Sequence, residues 1–229
     1  MKQTPIYKIL IVLTPAFDPD AGGVQRSTYK MAGYFKKQGH VTHVFSYQES
    51  GHQSQEVAQL YHADQENAHK NPANDNLLQK VIRQLKPDIV INQMPYEHNI
   101  SEALVAEKEN LNFLLLGCLR NTLYSVKLNL DSYLNKVLPK PLQHFFKNNI
   151  GKQVLLQKHK QRHTVNLKKI LDYYDYFVMF GPPNLKELKY FIGDYKLNKT
   201  YFIPNSILSV LPKVPTKEKR ILWLSRLSY

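Results

Sequence analysis

Two consecutive glycines stand near the N-terminus, in the segment Gly22-Gly23-Val24-Gln25-Arg26 between a predicted strand and a predicted helix. Glycine lets the backbone turn sharply and approach a ligand without an intervening side chain. The free N–H groups at the start of the following helix suit a phosphate or a carboxylate. The segment has neither the GxGxxG pattern of dinucleotide-binding folds nor the Gly-Lys-Ser/Thr of a phosphate loop. A classical NAD site and an NTPase are therefore disfavoured, and a plain tight turn is the alternative to a ligand loop.

Histidine and cysteine give weaker signals. His159 and His163 are four residues apart on a predicted basic helix, which would place both rings on one face, but no carboxylate accompanies them. We therefore expect no metal site. Cys118 is the only cysteine, has no recognisable catalytic partner and fits a buried position in a reducing compartment.

Positive charge dominates the chain, with 31 Lys and Arg against 18 Asp and Glu and a formal net charge of +13. No acidic residue occurs from Ser132 to Leu171. A block of one sign is destabilised by self-repulsion unless an anionic partner is present. Nucleic acid, an anionic membrane and a phosphorylated substrate are the candidates, and a solvated helix face is the alternative. Nucleic acid is disfavoured because the block contains no recognisable nucleic-acid-binding motif.

The first part of this basic block is amphipathic, with apolar residues interleaved between lysines and interrupted by Pro139 and Pro141. Such a stretch can lie on an anionic membrane, where each basic residue contributes about 1 kcal/mol. The candidate membrane-facing residues are Lys136, Lys140, Lys147 and Lys152. No apolar run reaches the length of a membrane span.

Strands and helices alternate along the chain, which predicts an α/β fold: a Rossmann-like parallel sheet with helices on both faces and a ligand site at the carboxyl ends of the strands. The predicted strands are 8–13, 41–46, 89–92, 112–116, 176–180 and 200–203, and the predicted helices are 24–38, 77–85, 98–108 and 185–191, with a basic helical segment before residue 176. Residues 48–76 are polar and predict a long excursion with poor order or one short helix.

Several motifs together resemble the N-terminal domain of retaining GT-B glycosyltransferases of family 4. In chain order they are KILIVL, GGVQR, the GH that closes the first helix, KPDIVINQ, YDYFVMFGPPNLKEL, YFIPNSI and KRILWLSRLSY. The last two are similar to the "IPNGID" and "ILYVGRL" segments of that family. The resemblance implies that residues 1–208 form the acceptor-side domain, and that residues 209–229 form a linker and the first strand of a truncated donor-binding domain.

The resemblance also implies site residues. Gly22 and Gly23 match the glycine loop that faces the cleft near the donor phosphates and the acceptor. Arg226 matches an arginine that grips the donor diphosphate, and Asn205 matches an interdomain position with a capping, hinge or ligand role. The family pattern is broken by serine, in place of glycine, at positions 206 and 225.

A further departure concerns Arg120, which with Asn121 is a cleft candidate. Many members of the family have a histidine near the end of this strand, pointing at the reacting sugar, and Arg120 occupies the comparable place. Arginine cannot act as a base, but it could bind a phosphate or stabilise the leaving diphosphate. A surface salt bridge is the alternative role.

The function implied is transfer of a sugar from a nucleotide-sugar to a glycan or lipid-linked acceptor, as in polysaccharide or lipopolysaccharide synthesis. The nucleotide-sugar is a co-substrate, and no metal or other cofactor is expected. The expected location is the cytoplasm, including the inner face of the membrane. This chain alone is expected to be inactive, because most donor contacts would lie in the second domain. The alternative is a non-catalytic binding module or degenerate transferase whose basic segment binds a membrane or nucleic acid.

Overall fold

The computed structural model describes residues 5–49, 54–63, 71–130 and 149–203, together with the single positions 132, 135 and 139. Within these residues, seven strands form one parallel sheet in the order β3-β2-β1-β4-β5-β6-β7. The strands are β1 (Lys8–Leu13), β2 (Val41–Ser46), β3 (Gln59–His62), β4 (Ile89–Asn92), β5 (Leu114–Cys118), β6 (Tyr176–Met179) and β7 (Thr200–Phe202). The predicted Rossmann-like α/β class is confirmed.

Helices cover both faces of the sheet. They are α1 (Gly23–Lys37), α2 (Pro72–Leu85), α3 (His98–Leu111), α4 (Ser125–Leu128), α5 (Asn149–Tyr173) and α6 (Pro182–Ile192). In β1 the side chains of Leu10 and Val12 join the core that includes residues of α2, α3, α5 and α6. The alternate side chains, Ile9, Ile11 and Leu13, join the second core with Ala32 of α1. Burial on both faces explains why β1 is a continuous apolar run.

The polar excursion expected over residues 48–76 is only partly correct. The structure places β3 within it, paired in parallel with β2 so that His43 lies opposite Gln59. Helix α2 begins at Pro72, with the Asn71 side chain accepting a hydrogen bond from the Ala73 amide at 3.0 Å. Strand β3 is an edge strand with no fully buried residue, so its sequence has no apolar run from which to predict it.

The fourth predicted strand begins two residues later than expected. Helix α3 ends at Leu111, and the next residue, Asn112, adopts the left-handed conformation with φ 53° as its C-cap. Asparagine tolerates this conformation better than most residues. The chain therefore enters β5 only at Leu114, and β5 extends to Cys118.

The strand order defines a crevice. β1 leads by way of α1 to β2 on one side, whereas β4 leads by way of α3 to β5 on the other. The connections that follow neighbouring strands β1 and β4 therefore diverge at their carboxyl ends. In open α/β sheets this switch point is where ligands bind.

Candidate functional site

The glycine segment lies at this switch point, where the chain leaves β1 and enters α1. Helix α1 begins at Gly23, and its first hydrogen bond joins the Arg26 amide to the Gly22 carbonyl at 3.0 Å. The cap residue Gly22 makes no side-chain hydrogen bond, and the first turn has no acidic residue. The N–H groups of residues 23–25 thus point out of the helix start, where they can bind an oxyanion.

Neither glycine is required by the fold itself. Gly22 has φ 170° and ψ 179°, an extended conformation open to any residue. A Cβ on Gly23 would meet no atom within 4 Å, and a Cβ on Gly22 would approach only the flexible amide end of Gln25, at 2.7 Å. The plain tight turn is therefore a poor explanation for the pair. Open space beside Gly23 is what close approach of a ligand to the backbone requires.

The remaining residues of the segment support the loop. The Arg26 side chain is exposed and donates from Nε to the Pro19 carbonyl at 3.3 Å. Val24 accepts hydrogen bonds through its carbonyl from the hydroxyl groups of Ser27 and Thr28. Arg26 therefore has a partner in the loop that precedes α1, which favours a role in holding that loop.

Arg120 follows β5 at the same edge of the sheet. Its Nε donates to Gln93 Oε1 at 2.6 Å, and its Cζ lies 5.1 Å from the centroid of the Phe180 ring. Arg120 is half-buried, and no carboxylate lies within salt-bridge distance of it among the described residues. The described part of the chain therefore gives no support for a surface salt bridge as its role. The neighbouring Asn121 is exposed.

The described neighbours of Arg120 are neutral at physiological pH. Burial lowers the pKa of its guanidinium, which a contact with the Cys118 side chain partly offsets. Burial also raises the pKa of the Cys118 thiol to about 11, despite the nearby guanidinium. The thiol is therefore protonated near pH 7 and does not neutralise the cation.

Gln93 was not singled out from the sequence. It directly follows β4, is 1% exposed, and donates its backbone N–H to the Val12 carbonyl at 2.9 Å. Among the described residues, its side-chain Nε2 has no hydrogen-bond partner. The available signal was its position, since it is the last residue of the KPDIVINQ motif and stands at the carboxyl end of a buried strand.

A buried polar network holds the turn after β4. The Tyr174 hydroxyl accepts from Asn92 Nδ2 at 2.7 Å and lies 2.7 Å from Ser101 Oγ. Ser101 Oγ also contacts the Pro95 carbonyl at 3.1 Å, and Asn92 Oδ1 accepts from the Met94 amide at 2.9 Å. These bonds fix the backbone on both sides of Gln93.

The two histidines of α5 stack on each other with ring centroids 5.2 Å apart, as their spacing predicts. His163 also packs against Phe191, at 4.8 Å, and Tyr96, at 5.9 Å. Burial first and His159 second lower the pKa of His163 to about 4. In the part of the chain that the structure describes, no three His, Cys, Asp or Glu side chains are grouped to hold a metal ion.

The other predicted site residues are distributed as follows. Lys152 lies on α5 and is partly exposed. Outside the described residues lie Lys136, Lys140, Lys147, Asn205 and Arg226, as does the expected domain boundary after residue 208. Gly22–Arg26 follow β1, and Arg120 and Asn121 follow β5, so all of them lie on the side of the sheet where the strands end, with β4 between the two strands. Among the helices it describes, none has the length and hydropathy needed to cross a bilayer.

The fold and this edge define an open parallel α/β protein with a helix start that has no side-chain cap at its switch point. Residues 21–112 match the family model described as Glycosyltransferase Family 4. This range includes the glycine segment, α1, β4 and Gln93. The resemblance seen in the sequence is confirmed over this range, in which residues 21–112 match a glycosyltransferase family 4 domain.

Comparison with solved structures returns general likenesses of fold. A glycosyltransferase from Rickettsia africae ESF-5 is 17% identical, with 89% of this chain and 69% of that chain covered and a TM-score of 0.36. The glycotransferase of kitacinnamycin is 11% identical, with 94% of this chain and 56% of that chain covered and a TM-score of 0.43. A short-chain dehydrogenase/reductase from Veillonella parvula DSM 2008 in complex with NADP is 12% identical, with 61% of this chain and 60% of that chain covered and a TM-score of 0.35. Transferases and a dehydrogenase match alike, so these likenesses carry no argument about activity. No curated protein matches the sequence.

Proposed function

We propose that this chain is the acceptor-side part of a retaining glycosyltransferase, which moves a sugar from a nucleotide-sugar to a glycan or lipid-linked acceptor in polysaccharide or lipopolysaccharide synthesis. The observation that carries the proposal is the glycine segment, which lies inside the family match and at the switch point of the sheet. Its helix start is uncapped, and the space beside Gly23 is open.

In this reaction the bond between the sugar C1 and the diphosphate oxygen breaks, and the nucleoside diphosphate leaves with the electron pair. The acceptor hydroxyl forms the new bond to C1 and gives up its proton. The chain's contribution is the fixed N–H groups of residues 23–25, which stabilise negative charge on a phosphate through hydrogen bonds and the helix dipole. A metal ion has no part in this proposal.

Replacing Gly23 with Ala tests this role. Gly33→Ala is the matched control, because Gly33 is in the same helix and its added Cβ would meet mainly the flexible Glu56 side chain. Both changes favour helix formation, so neither should lower the melting temperature. The assay is nucleoside diphosphate release from a panel of nucleotide-sugars by a protein that contains this chain together with a donor-binding domain. We expect Gly23→Ala to reduce kcat/KM about tenfold or more and Gly33→Ala to leave it within twofold. Full activity of Gly23→Ala would exclude a ligand role for the glycine segment.

We also propose that the protein works at the inner face of a membrane, through a basic surface on α5. The exposed or partly exposed residues there include Lys152, Lys158 and Arg162. Val154, on the same helix, and Leu128, in α4, are large apolar side chains left 46% and 68% exposed. Val154, Lys158 and Arg162 recur at four-residue spacing and so share one face of α5. Basic and apolar groups on one exposed face suit an anionic lipid interface.

A further inference from the structure

We propose that Arg120 and Gln93 form a phosphate-binding pair, in which Arg120 contacts the phosphate and Gln93 positions Arg120. The inference deepens the proposed function and rests on it for the identity of the phosphate, which is either the donor diphosphate or a phosphate on the acceptor. Binding of a phosphate can be measured without sugar transfer, so the two proposals can fail separately.

The first argument is an uncompensated charge. The Arg120 guanidinium is half-buried against the Phe180 ring, and its described neighbours offer it only a neutral amide, an aromatic face and a protonated thiol. Removing a cation from water is costly unless an anion or several hydrogen-bond acceptors replace the water. The aromatic face supplies part of this compensation. An anionic ligand would supply the rest.

The second argument is the orientation of the Gln93 amide. Arginine Nε can only donate a hydrogen bond, so the Gln93 atom 2.6 Å away must be the acceptor Oε1. Nε2 is then a buried donor, and the described residues offer it no acceptor. The Gln93 backbone is itself fixed by its bond to the Val12 carbonyl. The side chain is also 1% exposed, so packing restricts its movement. The amide therefore orients the guanidinium through one of its five N–H groups.

The third argument is the set of hydrogen-bond donors that Arg120 keeps after its contact with Gln93. With Nε committed to Gln93, the terminal nitrogens of Arg120 keep donors that can form the paired hydrogen bonds typical of arginine and phosphate. The pair spans the carboxyl ends of β4 and β5, adjacent strands of the sheet, and β4 is also the neighbour of β1 at the switch point. A phosphate at Arg120 therefore lies on the ligand-binding edge of the fold.

The test uses inorganic phosphate as the probe and the NMR signal of the Arg120 Nε–H group as the readout, with affinity measured by titration. Arg120→Gln should weaken phosphate binding about tenfold or more, as expected for a lost charge-assisted contact. Arg162→Gln, which removes one exposed positive charge from α5, is the control and should change affinity less than twofold. Equal losses in both variants would overturn the site in favour of general electrostatic attraction.

Gln93→Glu separates a role of Gln93 in phosphate binding from a role only in stability, because it should change phosphate affinity and not the melting temperature. The glutamate has nearly the same shape and still accepts from Arg120 Nε, but it supplies the missing negative charge internally. We expect it to abolish phosphate binding without lowering the melting temperature. Wild-type phosphate affinity in Gln93→Glu would overturn the pair.

Further titrations identify the source of the phosphate. Tighter binding of a nucleoside diphosphate than of a sugar phosphate, lost in Arg120→Gln, assigns the site to the donor, and the reverse order assigns it to the acceptor. Phosphate binding at Arg120, without sugar transfer by a protein that also contains the donor-binding domain, would leave the site standing and contradict the proposed function. Sugar transfer with unchanged kinetics in Arg120→Gln would leave the function standing and overturn the site.

Discussion

The Tyr174 hydroxyl joins β4, α3 and the end of α5, and its removal should loosen the turn that carries Gln93. The hydroxyl accepts from Asn92 Nδ2 and bonds to Ser101 Oγ, both at 2.7 Å and both buried. Ser101 Oγ also bonds to the Pro95 carbonyl at 3.1 Å. The Tyr174→Phe variant keeps the ring, which packs against Phe177, and deletes only the hydroxyl.

The expected loss of stability in Tyr174→Phe comes from buried polar groups that lose their hydrogen-bond partner. Because Ser101 uses its hydroxyl proton toward Pro95, the Tyr174 proton goes to Ser101, and the hydroxyl oxygen serves Asn92. Without it, Asn92 Nδ2 is a buried donor with no acceptor, which costs about 1–3 kcal/mol. We expect a loss of about 2 kcal/mol in the free energy of unfolding. For a chain of this length that corresponds to a fall in melting temperature of roughly 4–8 °C.

The control is Tyr173→Phe, the adjacent residue, whose hydroxyl bonds to Glu102 at 3.1 Å in an exposed position. Its loss should cost less than about 0.5 kcal/mol. Urea denaturation followed by circular dichroism measures both variants, and hydrogen exchange at the Met94 and Ser101 amides reports the local effect. Equal destabilisation by the two substitutions, or unchanged exchange in Tyr174→Phe, would refute the buried network as the support of this turn.

Two other predictions concern α5. The pKa of His163 is lowered from 6.5 to about 4 by burial and by His159, so the stability that the neutral ring contributes is present above pH 6.5 and is lost as the pH falls toward 4. In chemical denaturation at several pH values, His163→Phe should remove about 1–2 kcal/mol of that loss, after allowance for solvent around the ring. An unchanged pH profile of the free energy of unfolding would contradict the assignment. Vesicles with anionic lipids should retain the protein in a flotation assay and release a variant with glutamate at Lys152, Lys158 and Arg162; equal retention of both would exclude this face as the membrane contact.

The elements that could be predicted from the sequence are those in which one short segment contains the whole signal. β1 is a run of apolar residues buried on both faces, and α1 ends where Gly39 adopts φ 84°. β3 could not be predicted in this way, because an edge strand with one partner is mostly polar and its pairing with β2 depends on the whole sheet. The start of β5 was misplaced because Asn112, which caps α3, was assigned to the strand.

The residues of the candidate site also differ in whether a short segment of sequence or only the folded sheet identifies them. The glycine segment could be identified because its residues are consecutive, and Arg120 because it departs from the pattern of a family that the sequence resembles. The sequence marks Gln93 only by its position after a buried strand, because its role depends on a contact with a residue 27 positions further along the chain. A salt bridge of Arg120 is absent among the described residues, because no described carboxylate lies within reach of it. Only the adjacency of β4 and β5 in the folded sheet brings the two side chains together.

The two edges of the sheet differ in how completely their polar groups are satisfied. At the amino edge, Lys8 Nζ donates to the Leu85 carbonyl at 2.8 Å, and Asp88 accepts from the Lys8 amide at 2.7 Å. Asp175 similarly accepts from the Leu115 amide and forms a salt bridge with Lys108.

At the carboxyl edge, α1 begins without a side-chain cap, and Arg120 has no described anionic partner. A half-buried cation without an anionic partner has an energetic cost, and the accessible N–H groups at the start of α1 can exchange water for an anion. Unsatisfied groups that cluster at the ligand-binding edge of this class of sheet are explained together if that edge binds an anion. This difference between the two edges connects the glycine segment with Arg120. It also predicts that phosphate, which would bind and stabilise the folded state, should raise the melting temperature of the native chain more than that of Arg120→Gln.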